Sequence, residues 1–364
     1  MTKPPGSPGV ATSKRAAARR VRSVVGVLLL GCLTLASLAV RPVASRQPVA
    51  GGPQWPPAPD IARIRFVTSI GEPKDIGAGP GVLGRLWAVI AGRSRHPRVA
   101  RPAGLAVDPA GRLVVADTGQ QMVHVFDLER RKYSFLDPAP FASPVGVAIA
   151  RDGTIYVADS GRRRVFAYGP DGKRRAALGV VGGEAIFVRP SGVAVGPDGL
   201  IYVCDAAGST ITALSPDGRV ERTFGRRGAG PGEFNFPTHL AFGADGRLYV
   251  VDAMNARVQV FERDGAFLRA FGARGNGTGD LDKPKGVALD PAGHVYVAEG
   301  LHDVVQIFDA NGRLLLVFGG SGDGAGELTG PSGVAIDRAG RVYVADALNG
   351  RVEVFQYLDE VRGE

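Results

Sequence analysis

The feature that most constrains this chain is a 25-residue unit that occurs six times and aligns without a gap. Self-similarity at a fixed period is the signature of repeat architectures. The copies begin at Pro102, Pro144, Pro190, Pro237, Pro284 and Pro331. Successive starts are 42, 46, 47, 47 and 47 residues apart. The chain therefore repeats one supersecondary unit and is not a series of unrelated domains.

Each unit has the pattern of strands. A short apolar run, Gly-Val-Ala-Val in several copies, is typical of a strand that is covered on both faces. In the fourth copy, residues 247–251 form a β-branched and aromatic run, and residues 257–261 alternate with period two. Residues 266–272 provide a fourth run after a further turn. Four antiparallel strands per unit predict an all-β, six-bladed β-propeller.

The last blade lacks a fourth strand of its own. The sixth copy reaches Phe355, and only nine residues follow it. Residues 65–71, ahead of the first copy, match the fourth-strand pattern that ends in Gly225, Gly272 and Gly319. We therefore expect this N-terminal strand to complete the sixth blade, which pairs an open edge and closes the ring.

The blocks Gly-Val-Ala-Val-Asp, Tyr-Val-Ala-Asp and Arg-Val-x-Val-Phe, with Gly-x-Gly-x-Gly-x-Phe connectors, resemble NHL repeats over roughly residues 62–357. The resemblance implies a six-bladed β-propeller of the exported bacterial type. It is specific for the fold and much less so for function. Similar propellers include peptidyl-hydroxyglycine lyases, a protein-interaction module of RNA-binding ligases and exported bacterial proteins.

Charge argues against nucleic acid as a partner. The formal net charge is +9, but six basic residues lie ahead of the first apolar run, which leaves +3 for the rest of the chain. These residues are Lys3, Lys14, Arg15, Arg19, Arg20 and Arg22. A residual charge this small provides no strong field for phosphate backbones. The two cysteines are far apart and form no disulfide framework.

The N-terminus has the layout of an export signal. A basic, cytoplasmic region (residues 1–23) precedes an apolar run (residues 24–40), which is a signal peptide or a membrane anchor. A Pro-rich linker (residues 41–60) then leads to the propeller (residues 61–364). Cys32 follows Leu-Leu-Gly in a sequence that resembles a lipobox, so lipidation is a third alternative. All three alternatives predict an extracytoplasmic location, and the retained anchor and the lipidated cysteine both predict a membrane-anchored protein of the cell envelope.

Two copies depart from the repeat with residues that bind metals. The third position is Gly in five copies and His239 in the fourth. The Asp that closes the second strand becomes Glu299 in the fifth copy, and His302 follows it. The three side chains suit zinc or another divalent ion. The alternative is that His239 fills space and that the recurring carboxylate caps a turn.

Arginines after the recurring Asp are a second set of candidates. Arg163, Arg257 and Arg351 lie on one face of the propeller if the copies superpose, and a basic ring there predicts an anionic ligand. The alternative is that each arginine begins its third strand and pairs with the Asp of its own blade.

The largest irregularity is an insertion before the first copy. Gly71 and Pro102 are 31 residues apart, whereas comparable connectors span 12. Apolar residues at helical spacing predict a short amphipathic, basic helix. They are Leu83, Leu86, Trp87 and Ile90. The helix either caps one face of the propeller or contacts a partner or anionic lipid.

Together these features predict a monomeric, non-catalytic binding or scaffold module, exported and tethered at the membrane, for a protein, peptide or envelope ligand. The sequence requires no cofactor. The alternative is a metal-dependent lyase or lactonase-like enzyme with its site at the mouth of the central channel, built around His239.

Overall fold

Each repeat folds into antiparallel strands because its apolar runs are short and separated by turns with glycines in the left-handed region. The computed structural model describes residues 52–78, 98–136, 141–275 and 277–358. In the described part of the chain ahead of the first repeat lie the strands β1 (Gln54–Trp55) and β2 (Ile64–Ile70). A 3-10 helix at Pro73–Ile76 follows them.

Four strands in sequence order form each of the first five blades. Blade 1 contains β3 (Pro102–Val107), β4 (Arg112–Asp117), β5 (Met122–Asp127) and β6 (Lys132–Phe135). Blade 2 contains β7 (Pro144–Ile149), β8 (Ile155–Asp159), β9 (Arg164–Tyr168) and β10 (Arg174–Leu178), followed by a hairpin of β11 (Val180–Val181) and β12 (Glu184–Ala185). Blade 3 contains β13 (Pro190–Val195), β14 (Ile201–Asp205), β15 (Thr210–Leu214) and β16 (Val220–Phe224).

The remaining blades follow the same order. Blade 4 contains β17 (Pro237–Phe242), β18 (Leu248–Asp252), β19 (Arg257–Phe261) and β20 (Phe267–Phe271), with a 3-10 turn at Ala253–Asn255. Blade 5 contains β21 (Pro284–Leu289), β22 (Val295–Glu299), β23 (Val304–Phe308) and β24 (Leu314–Gly319). Blade 6 contains β25 (Pro331–Ile336), β26 (Arg341–Asp346) and β27 (Arg351–Tyr357).

The first strands of the six blades surround the central axis. Each contacts the first strand of the next blade, and β25 contacts β3, so the ring is closed. Glycine at the third position permits this approach, since a Cβ on Gly104 would lie 2.5 Å from the carbonyl oxygen of Val145. A Cβ on Gly146 would likewise collide with the carbonyl oxygen of Ser191 in blade 3, and a Cβ on Gly333 with that of Ala103 in blade 1.

The core lies between neighbouring blades. The second strands of blades 2 to 6 each bury a tyrosine at the same position. These residues are Tyr156, Tyr202, Tyr249, Tyr296 and Tyr343. Tyr343 of blade 6, for example, packs in one cluster with Leu105 and Leu113 of blade 1. Each tyrosine side chain therefore joins its blade to the next one.

The predicted closure by an N-terminal strand is confirmed. Strand β2 pairs antiparallel with β27, from Ile64 opposite Tyr357 to Ile70 opposite Val352. Strand β1 adds a fifth strand outside β2. Trp55 in β1 packs its ring 5.6 Å from that of Phe355. The first and last parts of the propeller thus share one sheet.

This sheet changes one expected boundary. The Pro-rich linker was expected to extend to residue 60, but Gln54–Trp55 belongs to the blade 6 sheet. The indole of Trp55 covers apolar side chains of β24 and β27, and burying that surface favours a strand over a solvated tether.

Several sequence predictions fall outside the described residues. They are the basic region 1–23, the apolar run 24–40 with Cys32, and the predicted helix with Leu83, Leu86, Trp87 and Ile90. Within the four described ranges, no helix is long and apolar enough to cross a membrane.

The closing strand gives a first prediction. Phe66 is buried, and its ring lies 6.1 Å from that of Phe355. Replacing Phe66 with Ala removes most of this contact, so we expect a loss of about 3 kcal/mol in the free energy of unfolding. The matched control is Thr68→Ala in the same strand, for which we expect a loss of under about 1 kcal/mol. Urea unfolding measures both, and equal effects would contradict the closure of the ring by β2.

A buried carboxyl in the closing sheet gives a second prediction. Ser69 Oγ donates to Glu353 Oε2 at 2.9 Å. Arg351 Nε lies 2.7 Å from Glu353 Oε1, but its N–H is directed at Asp346, and Oε1 receives no hydrogen bond from the described residues. Burial raises the pKa of Glu353 from 4.5 to about 7. Blades 4 and 5 carry Gln259 and Gln306 at this position.

Because the pKa is higher in the folded state, this group contributes its full stability below pH 4.5 and loses it as the pH rises through about 7. We expect Glu353→Gln to be more stable than the wild type at pH 8 by about 2 kcal/mol. At pH 4 the two should be nearly equal. Unfolding curves at both pH values test this. If the stability difference between the variant and the wild type were the same at pH 4 and pH 8, Glu353 would not titrate as described.

Candidate functional site

A buried carboxylate ends the second strand of every blade. These residues are Asp117, Asp159, Asp205, Asp252, Glu299 and Asp346. In blade 1, Asp117 accepts the backbone N–H groups of Ala100 at 2.7 Å and Arg101 at 2.9 Å. It also accepts those of Gly119 and Gln120 in the loop after its own strand. The carboxylate therefore fastens the connector that enters the blade to the loop between the second and third strands.

The environment of Asp117 favours its charged form. Burial acts to raise the pKa, but hydrogen bonds from His124 and from the N–H groups of Ala100 and Arg101 outweigh it and lower the pKa below 3.8. Side-chain donors supplement the backbone in blades 4 and 6, where Arg257 and Arg351 donate to the carboxylate. The recurring acid is thus explained by the fold itself.

This arrangement defines one face of the propeller. In the strand register, each opening proline lies opposite the residue that carries the recurring carboxylate, as Pro284 lies opposite Glu299. The connectors and the loops between second and third strands therefore lie at the same end of every sheet, which we call the connector face. The turns between first and second strands lie at the opposite end. Candidate ligand contacts are best sought on the connector face, where the loops vary between blades.

His239 lies on the wall of the central channel. It is partly buried, and the N–H of Val287 in the next blade approaches its Nδ1 at 3.5 Å. Burial lowers the pKa of His239 to about 4, although the contact with Val287 acts to raise it. The ring is therefore neutral at physiological pH, and Nδ1 acts as an acceptor, which leaves the proton on Nε2.

Glu299 and His302 form a local pair. Glu299 is fully buried and accepts the N–H groups of Lys283, Leu301 and His302. His302 Nδ1 lies 3.0 Å from Glu299 Oε2. Among the described residues, no group of three His, Cys, Asp or Glu side chains is arranged to hold a metal ion. The structure thus pairs His302 with Glu299 and does not join them with His239 as a ligand set.

The candidate arginines are used within the fold. Arg257 donates to Asp252 and to the connector carbonyl oxygens of Gly230 and Glu233, each at 2.8 or 2.9 Å. Arg351 makes the corresponding contacts in blade 6.

Arg163 has a left-handed backbone and donates to the carbonyl oxygen of Phe187 at 2.8 Å. A role for these three arginines in ligand binding stays a prediction, and their contacts favour the intramolecular alternative.

Other basic residues lie around the channel on the connector face. Arg101, Arg189 and Lys283 are exposed and immediately precede the opening prolines of blades 1, 3 and 5. Lys285 follows the proline of blade 5 and is partly buried. Burial lowers the pKa of Lys285, Glu299 and Asp303 oppose this change, and Arg101 and Lys283 add to it. We call these four basic residues the channel mouth.

Lys285 depends on a glycine of its own blade. A Cβ on Gly300 would lie 2.5 Å from Cε and 2.7 Å from Nζ of Lys285, so the end of the lysine side chain lies where a Cβ at position 300 would be. The other blades carry Ser, Thr or Ala at the position of Gly300. They carry no charged residue at the position of Lys285.

Large apolar side chains are exposed on the same face. Met254, Leu301 and Leu348 occupy the same repeat position in blades 4, 5 and 6 and are 56%, 45% and 61% exposed. Val188, in the connector of blade 3, is 55% exposed. We call these four residues the apolar arc. Blades 1 and 2 carry Gly119 and Gly161 at this position, so the arc covers one side of the ring.

Family comparisons agree with the observed fold. The NHL repeat family matches residues 100–126, 141–168, 187–219 and 328–355, which lie in blades 1, 2, 3 and 6. The chain contains NHL repeats within a six-bladed β-propeller. A second family, described as a 6-bladed beta-propeller, matches residues 239–292 of blades 4 and 5. No curated protein sequence matches the chain.

Solved structures similar to this NHL propeller have different functions. Virginiamycin B lyase from Staphylococcus aureus has a TM-score of 0.53 at 15% identity, over 71% of this chain and 96% of that one. A gluconolactonase from Xanthomonas campestris has a TM-score of 0.56 at 20% identity, over 84% and 100%. A protein of unknown function from Bacteroides thetaiotaomicron has 0.59 at 16%, over 81% and 75%. At these identities the similarity shows the fold alone.

Sequence reasoning missed the channel mouth and the apolar arc. The sequence signal for the arc was available, since Met254, Leu301 and Leu348 share one column of the aligned repeats. The signal for the mouth was weaker because Arg101, Arg189 and Lys283 lie just outside the aligned units. The proximity of Lys285 to Gly300 becomes evident only when the pairing of β21 with β22 is known.

The ring of inner strands gives a third prediction. A Cβ on Gly146 would collide with the carbonyl oxygen of Ser191 and lie 3.2 Å from Gly192 Cα. We expect Gly146→Ala to destabilise the NHL propeller by about 2 kcal/mol or more, because backbone atoms must move. His239→Gly restores the residue of the other blades, and we expect a change of about 1 kcal/mol or less. Thermal unfolding compares the two variants, and a Gly146→Ala variant as stable as the wild type would contradict this packing.

Proposed function

We propose that this NHL propeller is a non-catalytic binding module whose connector face takes a protein or peptide segment with acidic and apolar side chains. The observation that carries the proposal is the combination, on one face, of the channel mouth and the apolar arc. Exposed apolar side chains grouped on one surface mark interaction sites more often than isolated ones do.

Charge supports an acidic partner. Arg101, Arg189 and Lys283 are exposed. Asp117 and Glu299 are buried and already accept backbone N–H groups, and Asp282 beside Lys283 pairs with Arg274. The exposed charge at the channel mouth is therefore mainly positive. Complementary charge fixes the orientation of a partner and raises its association rate.

The loops that carry these residues are held in place. The N–H groups of Val188 and Arg189 donate to Asp205 at 2.6 and 2.8 Å. Those of Leu301 and His302 donate to Glu299 at 2.9 and 2.7 Å. A surface that is ordered before binding loses less conformational entropy when the partner binds.

Peptide binding provides the fourth prediction. Three fluorescein-labelled 12-residue peptides alternate leucine with glutamate, glutamine or lysine, and anisotropy measures their binding to the full-length protein. We expect the glutamate peptide to bind at least about tenfold more tightly than the other two, which corresponds to about 1.4 kcal/mol. Lys285→Glu should weaken its binding by a similar factor. Combining Leu301→Ser with Leu348→Ser should weaken it as well.

The matched control is Arg151→Glu, an exposed charge reversal in the turn between β7 and β8 on the opposite face. We expect this variant to bind the glutamate peptide as the wild type does. Equal binding of the glutamate and glutamine peptides would contradict the proposal. A loss in Arg151→Glu as large as that in Lys285→Glu would contradict it too.

A second candidate is an enzyme of the lyase or lactonase type at the channel mouth. It is supported by the lowered pKa of Lys285, since a desolvated lysine beside another cation is unprotonated, and therefore nucleophilic, at a lower pH than an ordinary lysine. The names of the similar lyase and gluconolactonase structures point to the same class. Against it, His239 is a weak base whose Nδ1 already faces the N–H of Val287.

Turnover assays separate the two candidates. Virginiamycin B and a gluconolactone are the substrates, and metal analysis of the purified protein accompanies the assays. Turnover that is lost in Lys285→Ala or His239→Ala would replace the binding proposal with the enzymatic one. If the purified protein contains stoichiometric zinc or calcium and His239→Ala loses it, the result would favour a metal-dependent enzyme over the binding module.

We also propose that the propeller acts outside the cytoplasm, tethered by its N-terminal segment. The basic residues of region 1–23 and the uncharged run 24–40 support this location. Cell fractionation and intact-mass measurement of the exported protein test it. A mature chain found in the cytoplasm would contradict it, and the measured mass distinguishes cleavage, lipidation at Cys32 and a retained anchor.

A further inference from the structure

A second basic site lies at the outer edge of blade 2, away from the channel. A pocket of about 580 Å³ is lined by four arginines. They are Arg162, Arg164, Arg174 and Arg175. Phe166 and two alanines of β10 complete the lining. This volume lies within the range of about 300–1,000 Å³ that is typical of small-molecule sites.

The arrangement of the arginines follows from the local backbone. Arg162 and Arg164 flank Arg163, whose left-handed conformation turns its side chain to the carbonyl oxygen of Phe187. In β10, Arg174 pairs with Tyr168 and Ala176 with Ala167, so Arg175 is the extra residue of a β-bulge. A bulge interrupts the alternation of side chains, and both consecutive arginines therefore line the same pocket.

Blade 2 alone combines these four arginines. The bulge occurs at the same place in blades 3, 4 and 5, but the residues there are Val-Glu, Phe-Leu and Leu-Leu. Arg257 and Arg351 share the repeat position of Arg164, yet their side chains are only 15% and 18% exposed and donate to connector carbonyl oxygens. The connector into blade 2 (residues 136–143) has eight residues, whereas the connector into blade 4 (residues 225–236) has twelve. Unlike Arg257 and Arg351, Arg164 has an exposed side chain.

Two of the four positive charges are balanced by acids. Arg175 Nη2 lies 2.8 Å from Asp171 Oδ2, and Arg162 Nε lies 3.5 Å from Asp159 Oδ2. The described contacts of Arg164 and Arg174 include no acid. Arg174 places its guanidinium 5.8 Å from the centre of the Phe166 ring, which restricts its orientation. The pocket therefore has an excess of two positive charges.

We propose that this pocket binds a phosphoryl group that carries at least two negative charges. Guanidinium groups bind phosphate oxygens with two parallel N–H donors each, and two excess cations match a phosphate dianion better than a single carboxylate. The pocket is larger than one phosphate group, so the ligand is a polyphosphate or an organic phosphate. A soluble phosphate compound and the headgroup of an anionic lipid share this chemistry.

The test uses two probes on the full-length protein. Titration calorimetry with inorganic tripolyphosphate examines a soluble source. Co-sedimentation with vesicles of phosphatidylcholine, with and without phosphatidic acid, examines a lipid source, and the difference between the two compositions is the measured quantity. We expect at least one probe to bind the wild type, and binding to weaken when the NaCl concentration rises from about 50 to about 300 mM.

The decisive variants are Arg164→Gln, Arg174→Gln and their combination, since both side chains are exposed and substitutions of exposed residues usually change stability little. We expect the double variant to bind the active probe at least about tenfold more weakly, with an unchanged melting temperature. The matched control is Arg338→Gln, an exposed arginine in a turn of blade 6, which should bind as the wild type does.

Loss of tripolyphosphate binding alone assigns a soluble ligand, and loss of phosphatidic acid binding alone assigns a lipid headgroup. The proposal is overturned if neither probe binds, if the double variant binds both probes as tightly as the wild type does, or if Arg338→Gln weakens binding equally. None of these outcomes depends on the peptide experiment, because Lys285, Leu301 and Leu348 do not line this pocket.

Discussion

The buried carboxylate at the end of each second strand is the interaction on which the connector face depends. An ionised acid in the core is costly unless hydrogen bonds satisfy it, and here the backbone provides most of them. Asp205, for example, accepts N–H groups from Val188, Arg189 and Gly208. These bonds join two loops that the strand ladder does not connect. Six such contacts hold the loops of one face while leaving their exposed side chains free to differ between blades.

Much of the fold could be predicted from the sequence because the same pattern of strands and turns occurs in all six copies. The six copies predicted six blades, and the fourth-strand pattern at residues 65–71 predicted that β2 would pair with β27. Trp55 was not predicted to join the same sheet. Its position depends on a contact with Phe355, 300 residues away in the chain, which no local pattern encodes.

The candidate site could be predicted less well, because departures from a repeat have structural as well as functional causes. Glu299 departs from Asp, yet it accepts connector and loop N–H groups as the aspartates do. Lys285 departs from small residues, and its space depends on Gly300, a change that is visible only when the paired strands are known. The arginines of blade 2 needed the bulge at Arg175 to converge. In each case the role of the residue depends on contacts within its blade that the folded backbone creates.

Hydrogen exchange in Asp205→Asn tests most directly whether the carboxylates hold the connector face. The account predicts that the amides of Val188 and Arg189 exchange at least about tenfold faster than in the wild type. Those of Ala100 and Arg101, which Asp117 holds in blade 1, should keep their rates. Unchanged exchange at Val188 and Arg189, or an equal increase at Ala100 and Arg101, would contradict it.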